Sequence, residues 1–302
     1  MDNDTTAELR RLARGRDLCF FESKANHSQW QKRALFFYHC PKTGGMTIVH
    51  ALQHALSCLT AVQSQDLFLG RLDSLDPPPG TRVALPSAFV ATHLPFGTHR
   101  KIAQDFDLMT VVRDPVARLT SGYTYGCMRR GERPDPAGFR DFFTARQNLD
   151  EMVRQLSGDD AAAGEASLEK AVENLRRHFV LYVTTRQIPD LIGAFLSRFR
   201  APNVLMANAN RTLPEFRIDA APFEAEIRRL NPLDEALYGF VRDNPKLDGI
   251  EQEDDAVSPM TLFVDEVERR AATLARAYHH KTALLPALLR SPPEALRQTT
   301  WA

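Results

Sequence analysis

Short apolar runs bounded by turn-forming residues alternate along this chain with longer stretches whose apolar residues recur every three or four positions. Ala34-Leu-Phe-Phe-Tyr-His39 is a continuous apolar and aromatic run that ends on Cys40-Pro41-Lys42-Thr43-Gly44-Gly45, a cluster of turn formers. From Met46 to Leu59 the spacing of Met46, Val49, Leu52 and Leu56 predicts a helix, so this region reads as strand, tight loop, helix. Ser87–Ala91 and Asp107–Val112 read as further strands. The second runs directly into Arg113-Asp114-Pro115, where Asp114 suits an N-cap and Pro115 the first helical position, with a helix expected to about Gly126.

Downstream, residues 129–138 read as a loop, 139–156 as one helix, 157–166 as a polar loop and 167–178 as a helix. Strands are expected at 179–184 and 203–207, with a helix at 189–199 between them. Asn231-Pro232 repeats the cap-plus-proline device and opens a helix with Leu233, Leu237 and Val241 facing inward. Residues 66–86 look irregular, broken by Asp76-Pro-Pro-Pro-Gly80. The stretch from Asp248 to Asp255 is acidic without a base and reads as a solvated linker, and a terminal helix is expected over 260–278. Strands alternating with helices imply an α/β fold with a parallel sheet and right-handed crossovers. The whole is expected to be one domain over 1–302, with an extension at 1–33, a core at 34–242, an acidic linker at 243–259 and a helical segment at 260–302. In such sheets ligands sit at the carboxyl ends of strands. Lys42, His93 and Arg113 all fall there.

Composition narrows the partners. Lys+Arg and Asp+Glu are both 38, so the formal charge is zero, which argues against a general nucleic-acid coat or a polybasic membrane binder. No apolar run reaches the ~18 residues of a membrane span, and residues 1–17 lack the apolar centre of a signal peptide. Cys19, Cys40, Cys58 and Cys127 are far apart and form no CxxC pair, so reduced thiols in a cytoplasmic protein are expected.

The chemistry concentrates in two segments. In His39-Cys-Pro-Lys-Thr-Gly-Gly-Met46, the glycines let backbone approach an anion and the helix start behind them offers free N–H groups and a positive dipole. Lys42 adds a charge, and Thr43 and Thr47 add hydroxyls. A Walker A loop places its lysine after the glycines, followed by a Ser or Thr that holds magnesium. Here the lysine comes first and no magnesium-holding pair follows, which suits a phosphate-bearing donor used without a metal. In Val112-Arg-Asp-Pro-Val-Ala-Arg-Leu-Thr-Ser121, Arg113 leaves the strand end toward the rim, and Ser121 lies two turns beyond Asp114 on nearly the same helix face. Arg113 and Ser121 together could clamp a phosphate. Arg118, four residues after Asp114, is expected to pair with it.

These two segments resemble the donor-binding motifs of the PAPS-dependent carbohydrate sulfotransferases, in the branch with the heparan sulfate and uronyl 2-O-sulfotransferases and their bacterial homologues. Weaker echoes lie at Gln155-Leu-Ser-Gly158, at 175–185 and at Asn231–Tyr238, so the resemblance covers roughly residues 34–242. It implies the P-loop-like sulfotransferase fold and transfer of a sulfuryl group from PAPS to an acceptor hydroxyl, leaving PAP. By the resemblance, Lys42, Thr43, Gly44, Gly45, Met46 and Thr47 cradle the 5′-phosphosulfate, while Arg113 and Ser121 hold the 3′-phosphate. Arg211, in Asn210-Arg211-Thr212, would belong to a loop over the nucleotide. Arg186 stands where the family usually carries an acid, a departure from the pattern.

Transfer needs a base for the acceptor hydroxyl and a cation at the bridging oxygen. His93, at a strand end between the two donor loops, is the candidate base, and Lys42 the candidate cation. His39 fits a core or orienting role. His50 and His54 have the i,i+4 spacing of metal ligands but no third partner, and His99, His279 and His280 read as surface residues. The acceptor, a glycan or a hydroxylated small molecule, would meet the segments 60–86, 127–140 and 150–166, with Arg129, Arg130 and Arg133 forming a basic loop that also suits plain solvation. Two competing readings remain: a P-loop-type kinase or nucleotidase, which would need magnesium, and a non-catalytic nucleotide-binding scaffold.

Overall fold

The structure, a computed structural model, describes residues 18–21, 34–49, 51–52, 68–85, 87–159, 163–198, 204–207, 214–247 and 259–261. In chain order the elements are β1 (Leu18–Phe21), β2 (Ala34–Tyr38), α1 (residues 45–49 and 51–52), β3 (Phe68–Leu72), β4 (Ser87–Thr92) and β5 (Phe106–Val112). Then come α2 (Pro115–Arg130), α3 (Pro136–Thr144), α4 (Glu151–Ser157), α5 (Glu165–His178), β6 (Phe179–Thr184) and α6 (Ile188–Arg198). The described chain closes with β7 (Val204–Ala207), α7 (Glu224–Leu230), α8 (Pro232–Asp243), β8 (Lys246–Leu247) and β9 (Pro259–Thr261).

A six-stranded sheet runs β3-β4-β2-β5-β6-β8. Its first five strands pair in parallel, and β8 adds an antiparallel edge against β6. β2 is buried along its whole length, which is why its sequence is a continuous apolar run and not an alternating one. From β2 the chain visits β3 and β4 on one side and then crosses to β5 and β6 on the other. The strand order therefore reverses beside β2, the place where open α/β sheets form a crevice.

Alternate side chains of the strands enter different cores. Leu35, Phe37, Met109, Val111 and Val183 pack with Ile48 and Leu52 of α1 and Leu191, Ile192 and Phe195 of α6. Phe36, Tyr38, Val90, Leu108 and Tyr182 pack on the other face with Met152 and Leu156 of α4, Leu175 of α5, and Leu237 and Val241 of α8. A third cluster joins α2, α3 and α7 through Leu119, Tyr123, Phe139, Phe143 and Ile227. The sheet thus has helices on both faces, as the alternation of strands and helices requires.

Several expected elements differ. The helix expected over 139–156 is two helices, because Arg146–Asn148 form a 3-10 turn and Asp150 takes a left-handed φ of 44°. α2 runs on to Arg130, where Gly131 (φ 69°) ends it, and Pro136 starts α3 inside the segment read as a loop. β3 lies in a stretch read as irregular, while β8 falls in the segment read as linker, and both are edge strands whose pairing comes from distant partners. Met260 and Thr261, expected to open a helix, pair as β9 with β1 in a small antiparallel sheet that also contains β7. The linker at 248–255, most of the terminal helix and residues 1–17 lie outside the described residues, as does α1 beyond 52.

Two helix starts exchange caps beside the sheet. Asp150 Oδ1 accepts from the amides of Leu233 (3.0 Å) and Asp234 (2.9 Å) at the start of α8. Asp234 in turn accepts from Val153 N (2.9 Å) and Met152 N (3.4 Å) at the start of α4. Asn231 does not cap its own helix with its side chain; it accepts from Asp150 N at 3.0 Å. Arg118 does not pair with Asp114. Its guanidinium, 3% exposed, bonds Glu151, stands 3.5 Å from Asp234, and donates to Asn148 O at 2.8 Å. Asp114 caps Ala117 N (2.9 Å) and pairs with Arg228 (3.0 Å) instead. Arg118 points sideways into the α4–α8 junction, so the spacing rule for exposed helix pairs does not reach it.

Candidate anion-binding and proton-transfer site

The carboxyl rim of the sheet is built at β2, β4 and β5, where Tyr38 lies in register with Thr92 on one side and Thr110 on the other. His39 N donates to Thr92 O at 2.8 Å, extending the β2–β4 ladder one residue past the strand. The chain then turns sharply. Lys42 adopts a left-handed φ of 65°, rare for a residue with a side chain, and Gly44 follows with φ 80°. Thr43 Oγ1 donates to Cys40 O at 2.8 Å and is fully buried, so this hydroxyl braces the turn. The helical bonds of α1 begin with Thr47 N and Ile48 N, both to Gly44 O. The amides of Gly45 and Met46 precede them and have no acceptor within the helix.

The two glycines do different work. A Cβ on Gly44 would stand 2.6 Å from Ile188 Cδ1 in a backbone conformation that already excludes most side chains. A Cβ on Gly45 would lie 1.8 Å from His39 Nε2, so the missing side chain makes room for the imidazole. That ring stacks on Phe37 at 5.3 Å and lies 4.4 Å from the ring of His93, centroid to centroid. Burial, then the nearby cations and His93, hold His39 down at about 3, a neutral group at ordinary pH.

His93 Nδ1 lies 2.6 Å from His39 O. A carbonyl oxygen only accepts, so the proton of the neutral ring sits on Nδ1 and Nε2 keeps its lone pair. Burial lowers the basicity of His93, and the bond to His39 O partly offsets this. Arg113 Nη1 donates to Lys42 O at 2.9 Å, and burial lowers its pKa. Lys42 Nζ lies 3.6 Å over the Tyr125 ring; burial and then the charge of Arg113 lower its pKa to about 8. Among the described residues no carboxylate pairs with Lys42 or Arg113. Asp114 acts on Arg113 from the next position, and the two cations held close together form a site for an anion.

The sequence candidates are thus brought together in part. Residues 39–45, His93 and Arg113 share one rim and are joined by hydrogen bonds through the backbone of His39 and Lys42. Met46 is 37% exposed at the mouth, whereas Thr47 is buried. Ser121 is half-buried on α2, one residue before Gly122, and Arg113 reaches the Lys42 carbonyl and not Ser121. Arg211, His50 and His54 lie outside the described residues, as do His279 and His280. His99, read as a surface residue, is half-buried and bonds the Tyr38 hydroxyl at 2.6 Å, with its pKa lowered to about 4 chiefly by burial. Arg186 is exposed. Cys40 and Cys127 are buried free thiols.

Two further residues border the site: Tyr125, and Gln155, whose sequence context echoes the family motif without giving it a role. Tyr125 follows the second motif by one helical turn, a spacing that could have suggested it. Gln155 Nε2 lies 3.4 Å from each of three carbonyls, those of His39, Thr92 and Leu94, contacts with residues about 60 to 115 positions away that no local pattern encodes. Beside the loop, a cavity of about 310 Å³ opens between α2 and α3, lined by Gly122, Tyr123, Gly126 and Phe142 with Arg130, Glu132 and Asp135 at charged positions. Gly122 belongs to this wall and also faces Lys42, since a Cβ there would stand 2.9 Å from Phe142 Cζ and 3.7 Å from Lys42 Cγ.

Among the described residues no helix is long and apolar enough to cross a membrane. The chain matches no family model and no curated protein.

Proposed function

We propose that this chain transfers a sulfuryl group from PAPS to an acceptor hydroxyl, as its resemblance to the PAPS-dependent carbohydrate sulfotransferases suggests. The observation that carries the reading is the convergence of Lys42, Arg113 and His93, from three different rim segments, on the backbone of residues 39–42. The residues present suit a doubly phosphorylated donor: the neighbouring cations Lys42 and Arg113, the first-turn amides of Gly45 and Met46, and the positive end of α1. The donor, when bound, supplies an activated sulfuryl group with PAP as its leaving group.

Each side chain has one task in this reading. Lys42 and the α1 amides hold the phosphosulfate end and stabilise charge on the bridging oxygen. Arg113 holds the other phosphate, with the Ser121 hydroxyl of α2 as the second donor in this reading. His93 Nε2, unprotonated because Nδ1 is committed to His39 O, accepts the proton of the acceptor hydroxyl. The acceptor approaches from the Gly122–Phe142 cavity, whose aromatic and carboxylate lining suits a sugar or another polyhydroxylated molecule. The enzyme would act in the cytoplasm, without a metal.

Titration of PAP by calorimetry, followed by a screen of labelled PAPS against glycans and hydroxylated small molecules in EDTA, tests this. Heat on binding and transfer without magnesium support the reading. Magnesium-dependent transfer from ATP would favour the kinase reading instead, and PAP binding without turnover on any acceptor the scaffold reading. His93→Ala should lower turnover by about 10²–10⁴ while leaving PAP affinity in place.

A further inference from the structure

Gln155 occupies an unusual position. Gln155 is 6% exposed, yet among the described residues its Oε1 has no hydrogen-bond partner, while its Nε2 faces three carbonyl oxygens at 3.4 Å each. An amide nitrogen has only two hydrogens to share among them. An apolar side chain would leave no orphan oxygen, so packing alone does not account for a glutamine here. What the three carbonyls have in common is His93. Thr92 and Leu94 flank it in the chain, and His39 O is the atom that receives its Nδ1 proton. The backbone of Gln155 adds a fourth tie, since its carbonyl accepts from Phe96 N at 2.7 Å.

We propose that Gln155 is the positioning residue of His93, aiming the His39 carbonyl so that the imidazole is held with its proton on Nδ1 and its lone pair on Nε2. The first lone pair of His39 O takes the His93 proton; the second takes the Gln155 amide, which fixes the carbonyl's direction. α4, which carries Gln155, is itself fixed by Asp234, Glu151 and Arg118, so the amide has a rigid base. The role resembles that of the hydrogen-bonding partner which sets the tautomer of a ligating or catalytic histidine. For turnover, the inference rests on His93 being the base of the proposed transfer; for the tautomer it does not.

The test uses the full chain labelled with nitrogen-15 at histidine, and reads the two ring nitrogens of His93 by NMR across pH. The wild type is expected to carry the neutral-ring proton on Nδ1 alone. Gln155→Met, close in shape but without a donor, is expected to give mixed tautomers and a His93 that titrates at lower pH, because the bond to His39 O that supports the charged form is loosened. Arg71, Asp73, Glu151 and His39 also act on His93 and are unchanged in that variant. With an acceptor in hand, turnover should fall at least tenfold at unchanged PAP affinity. A folded Gln155→Met protein with the wild-type tautomer and titration overturns the proposal. So does a wild-type His93 protonated on Nε2, a measurement that needs no variant to fold. A failure of PAP to bind would instead remove the sulfuryl-transfer reading and leave the tautomer result standing.

Discussion

Two arginines five residues apart, Arg113 and Arg118, show how differently one fold uses the same side chain. Arg118 is buried against Glu151 and Asp234 and ties α2 to the junction where α4 and α8 exchange caps. Burial still pushes the Asp234 carboxyl up to about 6 despite that partner. Arg113 has a backbone carbonyl as its hydrogen-bond partner and stands beside Lys42, whose pKa it helps to depress. A cation surrounded by carboxylates has its counter-charge within the fold. A lysine whose charge is weakened by burial and by a neighbouring arginine is stabilised by an anion from outside.

The largest effect is expected at Arg118. Arg118→Met leaves Asp234 buried without its cation and should destabilise the fold by about 3–5 kcal/mol, read from denaturant unfolding. Arg113→Ala should leave unfolding nearly unchanged and weaken PAP binding roughly 10–150-fold, the worth of one charged hydrogen bond, read by calorimetry. Equal stability losses in the two variants would erase the distinction between them.

Gly45→Ala acts on the loop itself. Its Cβ would displace the His39 ring, which is held between Phe37 and His93, so a loss of about 1–3 kcal/mol in stability is expected together with a disturbed His93 resonance. The pH dependence of anion binding follows from Lys42. Below about 8 the amine is protonated and attracts the anion; above that it is neutral. Affinity for PAP should therefore fall as pH rises through about 8, by roughly tenfold per unit at most, and Lys42→Met should flatten that fall. Tyr125→Ala should give the smallest effect. It removes a cation–π contact of about 0.5–1 kcal/mol from the free state and should raise PAP affinity a few-fold.

Local pattern was enough to place the central strand, the glycine turn after it, and the Asp114–Pro115 and Asn231–Pro232 helix starts. These are local matters: an unbroken apolar run needs burial on both faces, glycine admits a left-handed turn, and proline fits the first helical position. It also placed Lys42, His93 and Arg113 at strand ends, since the element order alone puts them on one rim. The edge strands, the break at Asp150 and the partners of Arg118 and Gln155 came from the folded chain alone. Those depend on groups brought together from dozens of positions away, and contacts of that kind leave no period or spacing in the chain. Asn231 illustrates the boundary: its sequence marked a helix start correctly, but the capping oxygen came from Asp150, supplied by another helix that the fold laid alongside.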